Sequence, residues 1–248
     1  MRPRHGIALF ALLATFPSFV RAQDRSASSD RWSDGLIAGD YVRVAAGAVS
    51  PINPQGSLRD WDRGTAYSLA WENWQSGAGG VGRVGFGIGV NYGLMPLNEK
   101  QFLSEFVTPQ GSPATSATSS SASLIEIETS IRLRIPTPFI MPSLSLGFGY
   151  INFHPSTIQY TSIGGSAATS EQRRYGGEFT IGGALDKHVV DRFAVFGEAS
   201  YTYGFTSLGG QGIARPGGTC ATSSNGCDPL KNTTLGTIRG GLRVRVGR

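Results

Sequence analysis

Charge, thiols and imidazoles are scarce in this chain of 248 residues: 16% are charged, two are cysteine and three are histidine. The histidines, His5, His154 and His188, form no cluster with metal-ligand spacing, so neither a metal nor a cofactor is expected. Cys220 and Cys227 lie close together, and such a pair in an exported chain is expected to close a small loop as a disulfide. The apolar run "IALFALLATF" from Ile7 to Phe16 is too short to cross a bilayer as a helix. A basic block is missing too. The formal charge of +5 falls by three, to +2, without Arg2, Arg4 and Arg21, which argues against a nucleic-acid partner.

Those three arginines, the short apolar run and the small residues of "VRA" at 20 to 22 have the layout of a secretory signal. Residues 1–22 are expected to be removed on export. Residues 23–38 are then expected to be a short exported lead, and residues 39–248 a single domain.

Glycine, by contrast, is abundant at 35 residues, with a further 10% aromatic. Glycine costs about 1 kcal/mol per helical position relative to alanine, so this composition disfavours a helical domain. The residues that remain alternate. In "LIEIETSIRLRI", 124 to 135, Ile125, Ile127, Ile131, Leu133 and Ile135 take one set of positions and Glu126, Glu128, Arg132 and Arg134 the other. A period of two with β-branched residues on one side predicts a strand with opposed faces. The pattern recurs around Val42 to Ala48, Tyr67 to Trp71, Val84 to Tyr92, Leu144 to Tyr150, Tyr175 to Leu185, Phe193 to Tyr203 and Ile238 to Val246. That makes eight strands.

Their connections alternate in length. Long ones fall near residues 50–63, 94–121, 153–172 and 206–232, and short ones are "QSGAGG", "PTP" and "DKHVVD". Regular alternation predicts up-and-down antiparallel strands with every long loop at one end. "TPQGSPATSATSSSAS" at 108 to 123 is low in complexity and is expected to stay unpacked. The cysteine-closed last loop is expected to be ordered.

A soluble barrel would turn its apolar face inward around a ligand. Here the polar positions include many glycines, which cannot build an apolar core, and charges of both signs. The expected lumen network comprises Arg43, Glu72, Arg83, Glu126, Glu128, Arg132, Arg134, Glu178, Glu198, Arg239, Arg243 and Arg245. Asp186 shares their parity, although it also opens the short connection "DKHVVD", where His188 reads as solvated. The aromatics Tyr41, Tyr67, Trp71, Tyr92, Tyr150, Tyr175, Tyr201, Tyr203 and Phe205 suit a lipid-interface girdle. The fold class predicted is therefore all-β, an eight-stranded antiparallel up-and-down transmembrane β-barrel.

A signal, eight alternating strands and four long loops resemble the small outer membrane β-barrel proteins of Gram-negative bacteria, the group of the OmpA transmembrane domain, OmpX, OmpW and the opacity proteins. The resemblance implies a cell outer membrane location, contact with membrane lipid and lipopolysaccharide, a monomeric state, and a surface ligand or cell met through the long loops. It departs at the end of the chain, where "LRVRVGR" replaces the aromatic terminus common in that group, and an appended peptidoglycan-binding domain is not expected. "FHPS" also resembles the His-x-Ser pair of lipid A 3-O-deacylases, with His154 and Ser156 in the matching positions and Glu171 or Glu178 as the third member. "GVGRVG" at 80 to 85 lacks the strand before and helix after that dinucleotide binding requires. "NTT" at 232 to 234 reads as polar loop. The expectation is a structural or adhesion protein without enzymatic activity. The alternatives are a minor channel for small or apolar solutes, as in OmpW-like members, and the deacylase.

Overall fold

The alternating segments form strands that can satisfy their backbone hydrogen bonds only by pairing with one another. In the computed structural model the described residues are 38–52, 58, 60–75, 83–106, 108, 111–135, 137, 140–169, 174–190, 192–206 and 233–246. Eight long strands close a barrel: β1 (Gly39–Pro51), β2 (Gly64–Gln75), β3 (Arg83–Met95), β5 (Ala122–Arg134), β6 (Met141–His154), β9 (Arg174–Val190), β10 (Phe193–Thr206) and β11 (Thr233–Val246). All neighbours are antiparallel, and β1 pairs with β11 to complete the ring. Closure removes every open edge from this sheet, which a lipid environment demands.

The pairing register fixes the tilt. From Arg243 the partners run through Arg43, Ala70, Gly89, Glu128, Gly149, Glu178 and Gly204 to Thr233, ten residues from the start on the same strand. A shear of ten over eight strands inclines them by about 40–45° and leaves an interior that side chains can fill.

The outer face is apolar. Leu144, Phe148 and Ile238 are more than 60% exposed, and Ile131 and Leu146, opposite each other on β5 and β6, are about half exposed. Tyr67, Trp71, Tyr92, Tyr150, Tyr175, Tyr201 and Phe205 also face outward. Most of them lie toward the loop end, where Tyr150 meets Tyr175 and Tyr203 meets Phe205. Tyr41 departs from the expected girdle. It is 1% exposed and packs inside the turn end with Trp74, Met141 and Ala194, because its odd position on β1 is the one Arg43 shares.

Two expectations about connections are corrected. The segment "DKHVVD" is mostly strand, since β9 continues to Val190 and Asp186 pairs with both Phe196 and Met141. His188 is accordingly half-buried rather than solvated. The low-complexity stretch at 108 to 123 contains β4 (Ala114–Ser119), which pairs with β7 (Ile158–Ser162), itself paired with β8 (Gly165–Thr169). Small Ala, Ser and Thr residues gain their order there from a strand some forty positions away, a non-local stabilisation that local composition does not report. Residues 1–37 and the 207–232 connection, with Cys220 and Cys227, lie outside the described residues.

Candidate functional site

Inside the barrel the side chains fall into three layers from the turn end to the loop end. The first is a continuous belt of ion pairs. Glu72 on β2 faces Nε of Arg43 at 3.3 Å, of Arg132 at 3.4 Å and of Arg243 at 2.7 Å, and accepts from Trp74 Nε1 at 3.0 Å. Glu198 on β10 pairs with Arg43, with Arg132 Nη1 at 3.0 Å and with Arg239 Nη2 at 2.8 Å. Asp186 pairs with Arg243 and, at 3.2 Å, with Arg134 Nη2. Arg239 also donates to Asn91 on β3. Every charged member is 6% exposed or less.

Glycines create the room for these side chains. A Cβ at Gly85 would stand 2.7 Å from the Trp74 ring, and one at Gly147 only 2.5 Å from Cδ of Glu128. Strand β6 accordingly contributes no charge to the belt, presenting Ser143, Ser145, Gly147 and Gly149 to the interior. Burying paired charges contributes little net stability over an apolar core, but removing one partner costs about 3–5 kcal/mol because the other charge is stranded.

The second layer, above the belt, holds Glu126, Glu128 and Glu178. The register places them side by side: Glu128 opposes Gly149, which opposes Glu178, while Glu126 opposes Asn91. Thr180 and Thr202, whose hydroxyls are 3.2 Å apart, add further oxygens.

The third layer is an apolar cap. Val49, Ala66, Met95, Leu124, Ile151, Phe153 and Leu235 project from the strand ends, and Leu58, Trp61, Phe102, Phe106, Ala114, Ala117, Ile158 and Tyr160 descend from the connections to form one core with them. The short helix α1 (Glu99–Glu105) supplies Phe102 and stacks it on Phe106 at 4.6 Å. Asn98 caps it, with Oδ1 accepting from Gln101 N at 3.0 Å, as an asparagine N-cap should. Phe106 meets Tyr160 edge-on at 4.7 Å, and Trp61 meets Phe153 at 6.4 Å. Backbone bonds from Asp62 to Pro96 (2.9 Å) and from Asn98 to Asp60 (2.7 Å) knit the first connection to the second.

Of the twelve residues expected in the lumen, Arg43, Glu72, Arg132, Arg134, Glu198, Arg239 and Arg243 lie in the belt. Glu126, Glu128 and Glu178 form the acidic layer, while Arg83 and Arg245 are half-buried at the turn end, where Arg245 donates to Ala38 O at 3.4 Å. Asp186, Trp74 and Asn91 complete the belt; parity with Glu178 pointed to Asp186, parity with Arg83 to Asn91 and parity with Glu72 to Trp74, but parity does not give the heights that bring them to the ion pairs. The His-x-Ser pair does not assemble a triad with Glu178. His154 is exposed at the outward end of β6, Ser156 donates its hydroxyl to Ser121 O at 2.7 Å, and Glu178 points into the lumen at 3% exposure. Glu171 lies outside the described residues. Among the described residues no group of three acidic, histidine or cysteine side chains is placed to chelate a metal, and no helix is long and apolar enough to cross a membrane.

No protein-family model and no curated protein matches the chain. Solved structures with a similar fold include the outer membrane protein OprG from Pseudomonas aeruginosa (11% identity, TM-score 0.47, covering 86% of this chain and 99% of that one). Neisserial surface protein A shows 13% identity and a TM-score of 0.44, over 84% and 98% of the two chains. The outer membrane enzyme PagL shows 10% and 0.38, over 84% and 100%. Likeness at this level passes no role from those proteins to this one. The barrel's apolar exterior and ion-paired interior are those of a membrane-spanning β-barrel, the architecture of small outer membrane proteins.

Proposed function

We propose that this chain is a non-enzymatic outer membrane barrel whose knitted loops present a surface for contact with another molecule or cell. One observation carries this reading: an ion-paired belt and a buried apolar core lie one above the other inside the barrel, an arrangement that favours a closed lumen. A closed interior leaves the loop end as the place where specificity resides. The barrel itself then serves as an anchor in lipid and lipopolysaccharide.

Planar-bilayer recording of the refolded chain tests the closed lumen. Little or no conductance is expected, and large steady openings would move the assignment to a solute channel. Orientation is tested with single-cysteine labelling. Lys100→Cys, on exposed α1, should react with an impermeant maleimide on intact cells, and Lys187→Cys, at the turn end, only after lysis; the reverse order would remove the surface role. For the deacylase reading, Ser156→Ala is expected to leave host lipid A acylation unchanged.

A further inference from the structure

The belt has two more arginines than carboxylates and the layer above it has three glutamates, so the two together keep one net negative charge, and no arginine faces Glu178. The five belt arginines are shared among Glu72, Glu198 and Asp186, and Arg239 is also engaged by Asn91. Above them Glu178 is 3% exposed, its carboxylate lies over Gly149, and neither of its oxygens has a hydrogen-bond partner. Oε1 of Glu126, a residue 6% exposed, is likewise without one. The charges acting on Glu178 are those of Glu126 and Glu128, both of its own sign. A buried carboxylate in such surroundings is costly unless something neutralises it, and buried orphan oxygens point to a bound ion or water. Water alone would meet the hydrogen-bonding need and leave the charge.

Arg239 acts on Glu126 and Glu128, and Arg132 on Glu128; the other groups of this layer are oxygen and amide groups, namely the three carboxylates, the Thr180 and Thr202 hydroxyls and the Asn91 amide. Oxygen ligands select hard cations, and Mg2+ and Ca2+ commonly complete their shells with water. The carboxylates are not placed to chelate a bare ion directly, so the fitting occupant is one that keeps part of its hydration. We propose that Glu126, Glu128 and Glu178 form a lumenal site for a partly hydrated hard divalent cation. With the belt below and the cap above, the ion enters as the barrel folds, before the loops close. The site is independent of any surface role.

The test uses the chain refolded into lipopolysaccharide-free detergent with chelator, MgCl2 or CaCl2, at matched ionic strength in choline chloride. Heat-modifiability on gels should give a midpoint about 3–6 °C higher at ten times the Kd of the bound cation. Glu178→Gln and Glu126→Gln should abolish the cation-dependent shift, whatever they do to the baseline, and Asp62→Asn at the exposed first connection should retain it. A shift that survives both glutamine variants, or no shift at all, would overturn the proposal; in the second case protons neutralise the layer instead. Should a variant fail to fold, crystals grown with Mn2+ decide. An anomalous peak beside Glu178 supports the site, and a lumen without one removes it.

Discussion

The guanidinium of Arg134 lies 3.7 Å from the centroid of the Trp74 ring, and the residue opposite Trp74 on β3 is Gly85. The indole also meets the guanidinium of Arg243 at 5.8 Å, and its Nε1 donates to Glu72. Aromatic, cation and carboxylate form a single packed unit, so disturbing one member disturbs the belt.

Gly85→Val places carbon where the Trp74 ring now sits, 2.7 Å from the position of a Cβ. Overpacking of this kind costs about 1–3 kcal/mol. A lower unfolding midpoint in denaturant is expected, whereas Gly197→Ala, which meets nothing within 4 Å, should stay within about 0.5 kcal/mol of the parent.

Glu198→Leu removes a carboxylate shared by Arg43, Arg132 and Arg239; the first two keep Glu72, whereas Arg239 loses its belt carboxylate. A loss of about 3–5 kcal/mol is expected from equilibrium unfolding in detergent. Combining it with Arg239→Leu should recover part of the loss. Strict additivity in the double-mutant cycle would show that the belt does not act as a network.

Phe106→Ala removes a ring packed between Phe102 and Tyr160, a truncation worth about 3–5 kcal/mol in a close-packed core. Because that core belongs to the cap, the loss should be local. Proteolysis within residues 96–121 and 155–173 should accelerate while heat-modifiability of the barrel is preserved, and a global loss would mean that cap and barrel melt as one.

Leu146→Arg places a charge on the outer face near the middle of β6, opposite Ile131. In lipid this costs about 2–4 kcal/mol at the bilayer midplane. Reduced folding into vesicles is the measurement. Unimpaired insertion would mean that this face does not meet hydrocarbon.

Strand number, the identity of the two faces and the placing of long connections at one end were all legible in the chain, because side-chain parity and turn composition are local properties. So was the charged interior, as a set of residues on one face. The parity of β1 set Tyr41 with Arg43 on the inner face, and it was the general tendency of tyrosine to seek an interface that misplaced it in the girdle. Periodicity could not separate the lumen charges into an ion-paired belt and an acidic layer in which Glu178 faces no arginine, because that division follows from tilt and shear.

The amino-acid sequence by itself determined which side chains meet oil and which meet one another, through the two-residue period of an extended backbone. Only the tertiary structure decided which arginine answers which carboxylate, because a shear of ten sets the relative heights of residues far apart in the chain. It alone ordered the stretch from Ala114 to Ser119, whose Ala, Ser and Thr residues have no face of their own until β7 lies beside them. Register and closure are cooperative properties of all eight strands, and no single segment encodes them.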